Sequence, residues 1–189
     1  MNHIGTQPLY TERLILRRFE NGDAPMMFSN WANDSEVTKF LMWQPHESVE
    51  VSEFVIKGWI RQYEKKDCYN WAIVLKTLGE PIGNISVVNR NENADLLHVG
   101  YCIGKQWWGR GCTREAFSAV IDFLFEKVNV NKIESRHDPR NPNSGKVMEK
   151  CGLTFEGILR QSDFNNQGIC DAAYYGILRN EWEERKEQR

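Results

Sequence analysis

The stretch Leu96-Leu97-His98-Val99-Gly100-Tyr101-Cys102-Ile103 leads into Gly104-Lys105-Gln106-Trp107-Trp108-Gly109-Arg110-Gly111-Cys112-Thr113, and then into an amphipathic run that reaches Val128. This predicts a strand, a loop with Gln-x-x-Gly-x-Gly spacing, and a helix. Gly109 and Gly111 let the loop fold tightly, so that several N–H groups point one way at a helix start. Such a turn suits an anion, above all a phosphate or pyrophosphate. Phe117, Val120, Ile121, Leu124 and Val128 share one stripe of the helix, which therefore packs on a sheet.

Upstream, Arg13–Phe19 reads as a first strand, broken by Asn21-Gly22-Asp23. Asp23 is placed to cap a helix that has Pro25 in its first turn and runs to about Ala32. After Pro45-His46-Glu47-Ser48, a second helix is expected, with Val51, Phe54, Val55, Trp59 and Tyr63 as its apolar stripe. Trp71–Leu75 and Ile82–Val88 form a strand pair around Leu78-Gly79-Glu80-Pro81, with Asn89–Asn93 as a polar loop. Downstream, Asn131–His137 is a strand. Asn141 and Pro142 start a helix that ends at Cys151-Gly152. Leu153–Arg160 and Ile169–Leu178 are strands around Asn165-Asn166-Gln167-Gly168, and Arg179–Arg189 is a charged, frayed helix. The order is β-α-α-β-β-β-α-β-α-β-β, with one β-α-β unit carrying the glycine loop. A length of 189 residues fits one domain over 1–189.

Apolar residues make up 41% and charged residues 26%, as in an ordinary globular protein. The net charge of −2 gives no reason to expect nucleic acid or a membrane surface as partner. Five scattered cysteines without Cys-x-x-Cys, and no histidine cluster of metal spacing, point to reduced thiols and no metal. No basic-then-apolar signal pattern opens the chain and no apolar run approaches a membrane span, so a cytoplasmic protein is expected.

The loop lacks the lysine and hydroxyl of a P-loop. It also has Arg114 where a dinucleotide fingerprint needs a small residue, and three strands precede it. An acyl-coenzyme A site remains. Gln106, Gly109 and Gly111 match the Arg/Gln-x-x-Gly-x-Gly/Ala pattern of the GNAT superfamily of N-acetyltransferases. Thr11-Glu12-Arg13-Leu14-Ile15-Leu16-Arg17, Val99-Gly100-Tyr101, Trp108-Gly109-Arg110-Gly111 with Glu115-Ala116, and Asn141-x-x-Ser144 ending in Glu149–Leu153 resemble the RimJ/RimL-like branch, the ribosomal-protein N-terminal acetyltransferase type.

The resemblance implies a mixed α/β fold: a largely antiparallel sheet of about six or seven strands, splayed in the middle and flanked by about four helices. It implies acetyl-CoA as co-substrate, its pantetheine on the main chain of Tyr101, Cys102 and Ile103. Its pyrophosphate would take N–H groups from Gln106, Trp107, Trp108, Gly109, Arg110, Gly111, Cys112 and Thr113. The acceptor is an amine, ranked as a protein N-terminus first and a polyamine, amino acid or aminoglycoside next. An idle acyl-CoA-responsive module is the rival from another class, and a homodimer is compatible with the sheet edges.

Acetyl transfer needs a neutral amine, a donor for the thioester oxygen and a donor for the leaving thiolate. Ser144, three residues after Asn141, is the expected donor to sulfur in the resemblance, and Asn141 is either a coenzyme contact or a plain N-cap. Two residues compete as base. His98 stands where many relatives carry glutamate, with a packed core histidine as the bland alternative, and Asp163 lies in Gln161-Ser162-Asp163, where a solvated aspartate is the alternative. Trp107 and Trp108 are expected to brace the loop, Cys112 to play no nucleophilic part, and Trp31, Phe40, Trp43 and Trp59 to be core residues near the acceptor pocket.

Overall fold

The computed structural model describes residues 1–188. Its strands are β1 (Leu9–Tyr10), β2 (Leu14–Arg17), β3 (Asn70–Leu75), β4 (Glu80–Asn91), β5 (Leu96–Ile103), β6 (Lys132–His137), β7 (Thr154–Asn165) and β8 (Gly168–Leu178). The helices are α1 (Ala24–Met27, continued by a π-type turn Phe28–Ala32), α2 (Ser35–Thr38), α3 (Val49–Gln62), α4 (Cys112–Phe123, continued by a π-type turn Leu124–Val128), α5 (Pro142–Lys150) and α6 (Arg179–Glu187). All strands join one sheet in the order β1-β2-β3-β4-β5-β6-β8-β7. Neighbours run antiparallel except β5 and β6.

Strand alternation sorts the apolar residues into two cores. Leu97, Val99 and Ile103 of β5 turn to the face covered by α4 and α5, where Phe117, Val120, Ile121, Leu124 and Val128 are all buried, as their spacing predicts. Ala72 and Val74 of β3 turn the other way, against Met27, Trp31 and Ile56 of α1 and α3. Trp31 is fully buried and Trp43 and Trp59 pack against this second core.

β5 and β6 pair in register only at Leu96↔Lys132, Leu97↔Ile133 and His98↔Glu134. Beyond His98 the strands part, and β5 continues to Ile103 along β4 alone. The other side of this gap is spanned by the β7–β8 hairpin, whose tip docks on the segment between α2 and α3. The Asn166 amide donates to Leu41 O (3.1 Å) and its side-chain nitrogen to Thr38 O (2.9 Å) and Trp43 O (2.7 Å), while Gln44 Nε2 donates to Asn166 Oδ1 at 2.7 Å.

The structure corrects several sequence expectations. Among the described residues the sheet has eight strands and there are six helices, where about six or seven strands and four helices were expected. Asp23 does not cap α1 with its side chain, because its carboxylate is held by Arg17 at 2.7 and 2.8 Å. Asn89–Asn91 continue β4 instead of forming a loop. Of the stripe expected on α3, Val55 and Trp59 pack against the second core and Tyr63, its C-cap, is buried, whereas Val51 and Phe54 face solvent (Phe54 79% exposed), and the fully inward positions of the helix are Ser52 and Ile56. Ser52 can sit inside because its hydroxyl meets His46 Nδ1 at 2.7 Å, satisfying a polar group that a hydrophobic count discards.

Gly104 joins β5 to the glycine loop, with its N–H donating to Ile82 O at 2.9 Å. A Cβ here would lie 2.1 Å from Asn30 O and 2.6 Å from the Trp107 ring. Gly104→Ala is therefore expected to destabilise the protein by about 3 kcal/mol through overpacking against a backbone atom that cannot step aside. Urea unfolding of the variant measures this, and an unchanged midpoint contradicts it.

Candidate active site

The parting of β5 and β6 leaves one edge of β5 uncovered. Ser135 Oγ donates to Val99 O at 2.7 Å, so Val99 turns its main chain toward β6, whereas Gly104 N–H turns to β4. The two-residue repeat gives Tyr101 and Ile103 the orientation of Val99, into the gap. Ile103 O is taken by Trp108 Nε1 at 2.9 Å. Cys102, of the opposite parity, pairs its main chain with Asn84 of β4. Its side chain points to the α1–α3 face, where Sγ donates to Asn84 Oδ1 at 3.0 Å, and burial pushes its thiol up to about 12.

Tyr101 crosses from β5 to the first turn of α5. Its hydroxyl donates to Ser144 O at 3.0 Å and lies 3.1 Å from Ser144 Oγ, with the ring tilted against Phe117 at 5.4 Å. Burial raises the Tyr101 pKa well above its ordinary value, so the phenol stays protonated. The phenol proton goes to the carbonyl, which leaves the phenol oxygen as an acceptor for Ser144 Oγ–H until a better one arrives. Asn141 holds the N-cap position of α5, yet its side chain makes no cap hydrogen bond. The turn before it is tied down by Asp138, which accepts from Arg140 N at 2.9 Å, Arg140 Nη2 at 2.6 Å and Asn165 Nδ2 at 2.8 Å.

At the loop, Gly111 takes φ +79° as the N-cap of α4, a left-handed conformation that glycine adopts without strain. The first amides of a helix have no carbonyl within it to bond. In α4 the Glu115 amide closes back to Gly111 O at 3.0 Å, and the preceding turn Cys112-Thr113-Arg114 presents its N–H groups outward. Gln106, Gly109 and Arg110 are exposed and Thr113 is half-buried. Trp107 is buried at 5% exposure beneath the loop, and Trp108, 46% exposed, is fixed by its bond to Ile103 O, so both brace the turn. Cys112 is buried and burial raises its thiol pKa, which does not suit a nucleophile.

The loop is also clamped from the other end of the chain. Glu115 accepts from Thr11 Oγ1 (2.6 Å), Arg13 N (2.8 Å) and Arg13 Nε (2.7 Å), while Arg13 Nη1 donates to Arg110 O at 2.9 Å. Burial opposes ionisation of Glu115, but the bonds from Thr11 and Arg13 outweigh it and hold its pKa below the ordinary value. The motif residues Thr11, Arg13 and Glu115 had no role assigned from sequence. Their separation by about a hundred positions leaves no local signal of the contact.

On the opposite face of the sheet, β5, β6, β7 and β8 assemble a polar patch. His98, 3% exposed, has Nδ1 3.0 Å from Glu134 Oε1, and its ring meets Tyr174 edge-on at 6.3 Å. Asp163 lies within β7, after a bulge where Gln161 takes φ +49°, and accepts from Arg136 Nε at 2.5 Å. So both candidate bases lie on the face opposite α4 and α5, each engaged by a β6 neighbour, while Ser144 lies on the α5 side of the gap.

A glycine loop lies at one end of an opened parallel pair, with a serine across the gap, and comparison with known proteins places the chain in a family. Residues 13–154 match the acetyltransferase (GNAT) domain family, so the chain belongs to the GNAT acetyltransferases and is an N-acetyltransferase by family. It is 29% identical over 176 residues to the uncharacterized N-acetyltransferase p20 of Bacillus licheniformis, covering 93% of this chain and 98% of that one. It is 27% identical over 161 residues to the [ribosomal protein uS5]-alanine N-acetyltransferase of Escherichia coli, covering 80% of each. Its fold superposes with a TM-score of 0.81 on RimL, a ribosomal L7/L12 α-N-protein acetyltransferase solved in complex with coenzyme A, at 18% identity and covering 91% of this chain and 98% of that one.

Two outcomes follow from the clamps. Glu115→Ala should loosen the loop and weaken acetyl-CoA binding by about tenfold, or 1.4 kcal/mol, in calorimetry, with the melting temperature moving little. Unchanged affinity contradicts the clamp. The second outcome concerns acid stability. The Arg140 guanidinium holds the Asp138 carboxyl well below the usual carboxylate range. A depressed folded-state pKa contributes stability above the unfolded value, about 3.9, that is lost as pH falls through the folded one. Asp138→Asn should therefore lower the melting temperature at pH 7, and the gap to the native protein should narrow below about pH 4.

Proposed function

We propose that this chain transfers the acetyl group of acetyl-CoA directly to the α-amino group of a protein N-terminus, in a ternary complex. The observation that carries the proposal is the parting of β5 from β6 with Tyr101 and Ser144 joined across it. In this proposal the pantetheine pairs with the main chain of Tyr101–Ile103, the pyrophosphate sits on the amides between Gln106 and Thr113, and Asn141 contacts the coenzyme. The amine nitrogen attacks the thioester carbon, the C–S bond breaks, and the products are an amide and coenzyme A. The oxygen that gains charge takes a main-chain N–H of the open β5 edge. Ser144 donates its hydroxyl hydrogen bond to the leaving sulfur, and His98 accepts the amine proton, directly or through one water. Asp163, ion-paired with Arg136, serves to hold β7 to β6.

A protein N-terminus is favoured over a lysine side chain because its pKa, about 8 against about 10.4, leaves far more neutral amine for a histidine base to work on. The name of the E. coli relative, a [ribosomal protein uS5]-alanine N-acetyltransferase, supports a protein acceptor.

Calorimetry should show binding of acetyl-CoA and none of NAD; the reverse sinks the proposal. Thiol release should be seen with peptides beginning in alanine or serine in preference to polyamines, amino acids or aminoglycosides. Ser144→Ala should lower kcat by about tenfold while leaving acetyl-CoA affinity intact, and an unchanged kcat removes Ser144 from the chemistry.

A further inference from the structure

We infer that Glu134 is a positioning residue for the base: it fixes the tautomer of His98, keeping the proton on Nδ1 and leaving Nε2 bare to receive the proton of the attacking amine. This rests on the proposal above that His98 is that base.

Four observations carry the inference. The two residues are a cross-strand register pair of β5 and β6, and theirs is the last pair before the strands part. Glu134 is therefore held by the sheet itself at the apex of the gap. The contact is direct, 3.0 Å from Nδ1 to Oε1, with His98 at 4% and Glu134 at 19% side-chain exposure. A carboxylate has only acceptor sites, so when the pair is His–carboxylate the ring nitrogen facing it must carry the proton. That sets the other nitrogen as the acceptor, the orienting role a carboxylate plays for imidazole in other catalytic groups.

The third observation is the charge balance around the pair. Lys132 and Arg136 flank Glu134 on β6, but each is claimed by a carboxylate of β7: Lys132 by Glu156 at 2.7 Å and Arg136 by Asp163 at 2.5 Å. The hydrogen bond of Glu134 goes to His98. From β8 the group facing His98 is Tyr174, whose ring also lies under Arg136 at 6.0 Å, and from β4 it is the neutral Asn89. The fourth observation is that the His98 hydrogen bond holds the Glu134 carboxyl below its ordinary pKa, so Glu134 is ionised at neutral pH. When His98 takes up a proton, the adjacent negative charge stabilises the imidazolium without any movement of the protein.

The test uses the full chain labelled with 15N-histidine, with the His98 signals identified by their loss in His98→Gln. In the native protein deprotonated His98 should show a proton on Nδ1 and a bare Nε2. In Glu134→Gln the tautomer should become mixed. With acetyl-CoA and an alanyl peptide, kcat of Glu134→Gln should fall by about tenfold while acetyl-CoA affinity holds, and Glu134→Asp should restore part of the native rate and tautomer. An unmoved tautomer in both Glu134 variants overturns the inference. An unchanged kcat in His98→Gln instead overturns His98 as base. A fall of kcat in His98→Gln, with kcat unchanged in Glu134→Gln, removes Glu134 alone.

Discussion

Three register pairs hold β5 to β6, and the rest of the molecule depends on their ending at His98 and Glu134. A parallel pair that continued to Ile103 would satisfy its own main-chain groups and leave no place for a ligand. Because the strands part, Tyr101 and Ile103 keep main-chain groups directed into a gap inside the sheet, an unusual place for them, since a buried amide without a partner is costly. The fold supports the opening from both sides. Tyr101 reaches over to Ser144, and the β7–β8 hairpin reaches over to the α2–α3 segment through Asn166. The gap is thus held open by contacts made at some distance from its walls.

The two faces of the opened sheet carry different chemistry for a simple geometric reason. Alternation along β5 sends Val99, Tyr101 and Ile103 to the α4–α5 side and His98, Gly100 and Cys102 to the other. On the first side lie the loop amides, Ser144 and the helix start, all suited to a phosphorylated acyl donor. On the second lie the His98–Glu134 and Arg136–Asp163 pairs, suited to handling protons and charge. The two sets of groups are separated by a single sheet and meet only where it is split.

The course of the chain was largely legible in its sequence. The stripe on α4, the turn at Gly79 and the glycine that ends α5 are local patterns, and local geometry honours them. The stripe of α3 was read in part: Val55, Trp59 and Tyr63 meet the core, Val51 and Phe54 do not, and the buried Ser52, satisfied by His46, counts as polar. The cap assigned to Asp23 failed because Arg17, on a neighbouring strand, is a stronger partner for its carboxylate than a helix amide. In the site, the loop and the Asn141–Ser144 turn were visible as motifs. The partners that make them work were not: Thr11 and Arg13 clasp Glu115, Tyr101 meets Ser144, and Glu134 meets His98, across separations of 104, 43 and 36 positions for the Thr11, Tyr101 and Glu134 contacts.

The sequence alone therefore determined most of the elements, the glycine loop and the family that such a loop and its companion motifs define. These depend on dihedral preferences and on periodicity, which act over a few residues. Which side of the sheet each polar group faces, where β5 leaves β6, and which carboxylate pairs with His98 or Arg136 were decided only by the tertiary structure. Register and burial set those pairings, and neither exists until distant strands lie side by side.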